Sequence, residues 1–151
     1  GVELAYVTLH VGLDTFRPVH GEDPTSHEIH TEYYELNAQT AQVLNLAKQE
    51  DRRVIAVGTT SVRVLEQVGQ DGAAAGRAEL EPTSGQARLF ILPGHQFRMV
   101  DAMITNFHLP RSTLLMLVSA FAGREHILRA YQEAIEQRYR FFSFGDAMVI
   151  G

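Results

Sequence analysis

The sequence predicts an α/β fold, a mostly parallel or mixed sheet flanked by helices. Three observations carry this. Residues 54–57 are a short β-branched strand that turns through Gly58-Thr59-Thr60-Ser61 into a helix over about 62–69, one βα unit. Residues 2–11 form a nearly continuous apolar run of the kind that suits a buried strand. Residues 112–138 read as two helices divided at Gly123.

The elements follow in order. Val2, Leu4, Tyr6 and Val11, interspersed with Ala5, Val7 and Leu9, make the first strand. Such a strand at the very start of the chain implies an element missing upstream. Residues 12–30 are loop-like, with Gly12, Pro18, Gly21 and Pro24. Residues 31–36 are a short strand. Asn37 caps a helix over 38–50 with Ala41, Leu44 and Ala47 on one face. After the βα unit, closed by Gly69 and Gly72, the Gly- and Ala-rich stretch 70–87 is expected to be an irregular excursion. Residues 88–92, 97–101 and 103–106 are strand candidates. Ser112 caps a helix to about Phe121, and a second runs over about 125–138 with Ile127, Ala130, Tyr131 and Ala134 on one side. Residues 147–150 are the last strand. The whole, 1–151, reads as one α/β unit without repeats.

Composition narrows the chemistry. The 151 residues contain no cysteine, which excludes disulfides, thiolate metal sites and thiol nucleophiles within the chain. The longest apolar run, 114–122, is too short to span a bilayer. No secretory signal opens the chain, and the expected compartment is the cytoplasm. Net charge is -5, but it is unevenly placed. Residues 1–50 hold 2 basic and 8 acidic side chains, whereas 88–140 hold 7 basic and 4 acidic. Twelve of the 13 basic residues are Arg, the side chain suited to bidentate carboxylate or phosphate contacts. The acidic balance therefore removes the simple argument for a nucleic-acid partner without excluding one.

Several groups of residues can carry chemistry. The Gly58-Thr59-Thr60-Ser61 turn offers free backbone N–H groups and small hydroxyls to an anion or a sugar; plain helix capping is the alternative. It matches neither the Gly-x-Gly-x-x-Gly nor the P-loop pattern. Arg63, just inside the helix, can reach a ligand or form a structural ion pair. His10 ends the first strand, where a parallel sheet places its ligand crevice, and can exchange a proton; a structural histidine is the alternative. Asn106 and His108 follow another strand, with Asp101 as a possible orienter of the imidazole. His27-x-x-His30-x-Glu32 has no helix to organise it and is not read as a metal site. Tyr33, Tyr34, Tyr131, Tyr139, Phe141, Phe142 and Phe144 can stack on bases, but core packing is the ordinary role of such side chains.

At these residues the chain resembles the S-adenosylmethionine:tRNA ribosyltransferase-isomerase family of queuosine biosynthesis. The matching stretches are VTLHVGLDTFRPV (7–19), HTEYYEL (30–36), VIAVGTTSVRVLE (54–66), VDAMITNFHLPRSTLLMLVSAFAG (100–123) and YRFFSFGDAMVIG (139–151). The resemblance implies a protein about twice this length, an α/β main domain with an inserted β-barrel-like domain, of which this chain is the later half. It would lack the amino-terminal portion and the barrel, and that missing half becomes an expected partner.

The implied reaction transfers and isomerises the ribosyl moiety of S-adenosylmethionine onto 7-aminomethyl-7-deazaguanine in tRNA. The product is epoxyqueuosine-tRNA, with adenine and methionine released. S-adenosylmethionine is a co-substrate; no tightly bound cofactor and no membrane are expected. Joined to the strand-end positions, the resemblance casts His10 or His108 as proton-transfer group and Asp101 as orienter. Thr15, Thr59, Thr60, Ser61 and Asn106 would hold the ribose or methionyl part, Arg17 or Arg63 the methionine carboxylate, and Arg138 and Arg140 tRNA phosphate. Three positions depart from the family pattern: Asp14 in place of a glycine, Gln86 in place of a tryptophan, and His95 in place of a tyrosine. A non-catalytic tRNA-binding or structural fragment is one alternative, and an α/β transferase using another nucleotide is a second.

Overall fold

The computed structural model describes residues 1–12 and 31–151. The strands are β1 (Thr8–His10), β2 (Glu32–Leu36), β3 (Ile55–Val57), β4 (Thr83–Ala87), β5 (Ala102–Asn106) and β6 (Ala147–Ile150). The helices are α1 (Ala38–Gln49), α2 (Thr59–Ala74), α3 (Thr113–Ala122) and α4 (Arg124–Glu136). The α/β class stands, with a correction to the sheet. The strands form two three-stranded sheets, β1-β2-β4 and β3-β5-β6. The first is wholly antiparallel, while the second is mixed: β3 runs parallel to β5, and β6 is antiparallel to it.

Local signals account for the helix starts. The Asn37 side chain accepts the Thr40 N–H at 2.8 Å, and Thr40, Ala41, Leu44 and Ala47 turn inward. Ser112 caps α3 by accepting the Leu115 N–H at 3.1 Å, and Gly123 separates α3 from α4. The main core joins Leu36, Val62, Val64, Met103, Leu117, Val118 and Ile127, each 2% exposed or less.

Other expectations fail for identifiable reasons. The first strand is neither long nor buried: β1 has three residues and among the described residues pairs only with β2, and Val2, Leu4 and Tyr6 are 89%, 73% and 73% exposed. Helix α2 begins earlier and ends later than 62–69. Gly58, at φ 88°, makes the reversal by itself, so Thr59 is already helical. Gly69 does not stop the helix; a Cβ there would stand 2.6 Å from Met99 Cγ, so the missing side chain serves close packing.

The stretch 70–87 is not one excursion but the end of α2, a connection and strand β4 paired along β2. Residues 88–101 contain no strand. Three of them are held instead by the buried Glu66 carboxylate, which accepts N–H bonds from Arg98, Met99 and Val100 at 2.8, 2.9 and 2.9 Å.

Candidate active site at the carboxyl ends of β3 and β5

The parallel pair β3/β5 brings two separate stretches of sequence together. Its register sets Val57 opposite Ile104, and the next amide, Gly58 N–H, donates to Ile104 O at 2.8 Å. The N-terminus of α2 therefore lies beside the end of β5, where Thr105, Asn106 and His108 follow. Thr59 is 6% exposed, and Thr60 and Ser61 are half-buried. Gly58 supplies no capping side chain. First-turn amides of an α-helix have no acceptor within the helix, so these point toward the strand ends as donors.

His108 is fixed from two sides. Its Nε2 lies 2.9 Å from Thr105 Oγ1, and its backbone N–H donates to the Tyr131 hydroxyl at 2.6 Å. Tyr131 is carried by α4, and its ring meets Phe107 edge-on at 5.3 Å. Burial pulls the His108 pKa from 6.5 down to about 4. At neutral pH the imidazole is uncharged, with one nitrogen able to donate and the other to accept. Burial likewise raises the Tyr131 pKa, opposed by the His108 N–H it accepts. Asn106 is exposed and donates its amide to Asp146 O at 3.2 Å. Asp146 also holds Arg140 through contacts of 3.0 and 3.3 Å. Hydrogen bonding to Arg140 keeps the Asp146 carboxyl below the usual carboxylate range.

The other candidates lie elsewhere. His10 is exposed on β1, in the antiparallel sheet, where the strand-end argument for a ligand crevice has no force; its ring tilts against Tyr33 at 5.6 Å. Asp101 cannot orient His108. It precedes β5 while His108 follows it, and the five residues between span about 13 Å at about 3.3 Å per residue. Its carboxylate is taken by Lys48, at 2.9 and 3.0 Å, and by the Val54 N–H at 2.7 Å.

Arg63 points inward. It pairs with the buried Glu32 at 3.0 Å and donates to Ala87 O at 3.3 Å, fastening α2 to the first sheet. Burial lowers its pKa, against the opposing pull of Glu32. Asp14, Thr15, Arg17, His27 and His30 lie outside the described residues. Among the described residues no helix is long and apolar enough to cross a membrane.

Thr105 carries no mark in the sequence as a site residue, and Tyr131 reads there only as an aromatic able to stack on bases. Thr105 lies in the strand read over 103–106, but only the structure shows its hydroxyl meeting the His108 imidazole. Tyr131 occupies the inward face of its helix and reads as a core aromatic. A cavity of about 750 Å³ also lies apart. It is a groove between α4 and β6 floored by Phe107, Met148 and Ile150, and contains none of Thr59, Thr60, Ser61, Asn106 or His108.

The sequence profile of a family described as queuosine biosynthesis protein matches residues 1–150. The chain belongs to that family. It is 59% identical over 150 residues to the S-adenosylmethionine:tRNA ribosyltransferase-isomerase of Carboxydothermus hydrogenoformans, covering 99% of this chain and 43% of that protein. The enzyme of the same name from Natranaerobius thermophilus is also 59% identical, with 42% of its length covered. The crystal structure of the S-adenosylmethionine tRNA ribosyltransferase from Thermotoga maritima matches with a TM-score of 0.75 and 46% identity, over 97% of this chain and 44% of that one. Within the queuosine biosynthesis family, then, this chain spans under half the length of the relatives it matches.

Proposed function

We propose that this member of the family supplies part of the active site of an S-adenosylmethionine:tRNA ribosyltransferase-isomerase. It would act on 7-aminomethyl-7-deazaguanine in tRNA to give epoxyqueuosine-tRNA, adenine and methionine. The observation that carries the reading is the meeting of the α2 N-terminus with Asn106 and the Thr105–His108–Tyr131 group at one end of the β3/β5 pair.

The parts suit the reaction's demands. The sulfonium of S-adenosylmethionine acidifies the adjacent carbon and makes methionine a good leaving group, so the protein must hold the sugar and move protons. Amides and hydroxyls of Thr59, Thr60 and Ser61, together with Asn106, would hold ribose oxygens or a carboxylate. The His108 imidazole is neutral at physiological pH; with a pKa of about 4 it is a weak base, and it would accept a proton only where charge developing on the bound substrate raises that value. His10 remains a second proton-transfer candidate, and Thr15 and Arg17 remain candidates for the methionyl part. Arg138 and Arg140 would meet tRNA phosphate, although Arg140 must share its charge with Asp146.

The test uses a chimaera in which this chain replaces the matched 150 residues of the Carboxydothermus relative. Adenine release from S-adenosylmethionine and substrate tRNA is measured. The His108→Ala chimaera should lose about 100-fold or more in kcat, the range of a positioned proton-transfer group. Near-normal turnover would remove His108 from the mechanism. The second reading is a non-catalytic tRNA-binding or structural segment, in which Asp14 stands where the family pattern has a glycine. It predicts tRNA binding without adenine release from the unmodified chimaera.

A further inference from the structure

Thr105 is the polar exception on its face of the second sheet. Paired and alternate residues share a face, so Ala56, Met103 and Met148 lie on the same side as Thr105. All four are buried, and Thr105 is 6% exposed. Among the described residues its hydroxyl has one hydrogen-bond partner, His108 Nε2 at 2.9 Å.

That bond has two possible directions. A hydroxyl has one proton to give and lone pairs that accept, and a neutral imidazole has one nitrogen of each kind. Suppose Nε2–H donated to Thr105 Oγ1. The hydroxyl proton would then have no acceptor among the described residues, on a face made of Ala56, Met103 and Met148, and a buried donor without a partner is costly. Suppose instead that the hydroxyl donates to Nε2. Its proton is then used, and the imidazole carries its own proton on Nδ1. His108 is half-buried, and Nδ1 forms no hydrogen bond among the described residues, so it is the ring atom left for a ligand. Burial keeps the imidazole neutral near pH 7, with a pKa of about 4, so the ring holds one proton and its position matters.

We propose that Thr105 is a positioning residue: its hydroxyl donates to His108 Nε2 and holds the imidazole as the Nδ1–H tautomer, so that His108 meets a ligand as a hydrogen-bond donor. The ligand atom it fits is an acceptor, such as a sugar oxygen or the ring nitrogen of a purine. For Nε2 to take a proton, Thr105 must first turn its own proton away, whereas donation from Nδ1 needs no such change. The donor role rests on the reaction proposed above; the tautomer does not.

The tautomer is read by NMR in the 151-residue chain. The chain has seven histidines, so it is labelled with 15N-histidine, and His108 is assigned by the resonances that His108→Gln removes. Two-bond proton–nitrogen correlation at pH 7 identifies Nε2 by its couplings to both ring carbon-bound protons. Nε2 should show the shift of an unprotonated ring nitrogen, and Nδ1 that of a protonated one. Thr105→Val keeps the shape of the side chain and removes the hydroxyl. It should move the ring toward the Nε2–H form, which an undirected imidazole favours. Thr105→Ser should retain the parent pattern. A protonated Nε2 in the parent chain overturns the proposal, and so does an unchanged pattern in Thr105→Val. The parent spectrum decides even if Thr105→Val fails to fold.

The donor role is read in the chimaera. Thr105→Val should lower kcat roughly 10–100-fold, the range for losing a group that fixes the tautomer and orientation of a histidine, with KM for S-adenosylmethionine little changed. Thr105→Ser should restore kcat. Normal turnover in Thr105→Val beside slow turnover in His108→Ala overturns the positioning role. Normal turnover in both removes His108 from the reaction and the donor role with it, while the spectrum still decides the tautomer.

Discussion

The Tyr131 hydroxyl oxygen lies 2.6 Å from the His108 backbone nitrogen and is its hydrogen-bond acceptor. One bond thus joins α4 to the turn that follows β5 and holds His108 at the mouth of the candidate site. Replacing Tyr131 with Phe keeps the ring contact with Phe107 and removes only the acceptor. An N–H left without a partner in a part-buried site costs about 1–3 kcal/mol. The Tyr131→Phe chain should therefore melt several degrees lower, roughly 2–4 °C per kcal/mol for a domain of this size. In the chimaera it should lower kcat more than it raises KM, because His108 is displaced while the α2 terminus is untouched. An unchanged melting curve would show that the bond contributes nothing.

The titration of His108 gives a signed pH dependence. Its pKa is about 4 in the folded chain, below the 6.5 of an unhindered imidazole. Between these values the unfolded chain binds more protons, so stability rises with pH across that window. The contribution is complete above pH 6.5 and lost as pH falls toward 4, and it amounts to at most about 3 kcal/mol. Urea unfolding at pH 4, 5, 6 and 7 measures it. His108→Gln, which retains a group able to hydrogen-bond Thr105, should flatten the slope. An equal slope in both chains would show that His108 titrates normally.

The buried Arg63–Glu32 pair separates two roles proposed for Arg63. Removing one member of a buried pair leaves an uncompensated charge and costs about 3–5 kcal/mol. Arg63→Met and Glu32→Leu should each destabilise by that order, while the double variant should lose clearly less than their sum. Should Arg63 instead take the methionine carboxylate, Arg63→Met would raise KM for S-adenosylmethionine with little change in stability. Denaturant midpoints and KM in the chimaera, taken together, decide between them.

Much of the fold was legible because its signals are local. Asn37 and Ser112 cap the helices they precede in sequence, and the β-branched run at Ile55–Val57 needs no distant partner to be recognised. What was not legible is held at a distance. Strand β4 is Thr-Ser-Gly-Gln-Ala, without an apolar alternation, and exists because β2 pairs along its whole length. Residues 88–101 carry strand-like sequence, but Arg98, Met99 and Val100 donate their N–H groups to Glu66, more than 30 residues earlier.

The site divides in the same way. The Gly58–Ser61 turn and the Asn106–His108 segment were visible as strand-end motifs, and the parallel register joins them. Asp101 was misplaced because residues 97–101 read as a strand ending at it, whereas the chain there is irregular and the carboxylate is taken by Lys48 and the Val54 N–H. The part played by Tyr131 depends on its hydroxyl reaching across from another helix, which no spacing rule encodes.

The Glu66 carboxylate should be indispensable as an anion. It is fully buried and accepts three backbone N–H bonds, with His95 Nε2 3.5 Å away. Glu66→Gln retains the volume but turns one acceptor into a donor facing those amides. Charge-assisted bonds to a carboxylate are worth about 1.5–3 kcal/mol each, so a net loss of several kcal/mol is expected. Hydrogen exchange localises it: amides of Arg98, Met99 and Val100 should lose protection first, before those of α1. Uniform loss across the chain would mean that Glu66 supports the whole core rather than this segment.

Two glycines of α2 are expected to respond oppositely to the same substitution. Alanine is favoured over glycine in a helix by about 1 kcal/mol, so each Gly→Ala change begins with that gain. At Gly72 a Cβ meets nothing within 4 Å, and the gain should survive as a small rise in melting temperature. At Gly69 the new Cβ would stand 2.6 Å from Met99 Cγ and 3.2 Å from its sulfur, with Met99 itself 8% exposed and held in place by its own N–H bond to Glu66. Overpacking of this kind costs about 1–3 kcal/mol and should outweigh the propensity gain. Gly69→Ala should therefore melt lower, and the Gly69→Ala/Met99→Ala double variant should lose clearly less than the sum of the two single losses. If Gly69→Ala were as stable as Gly72→Ala, the close packing of α2 against Met99 would have to be abandoned.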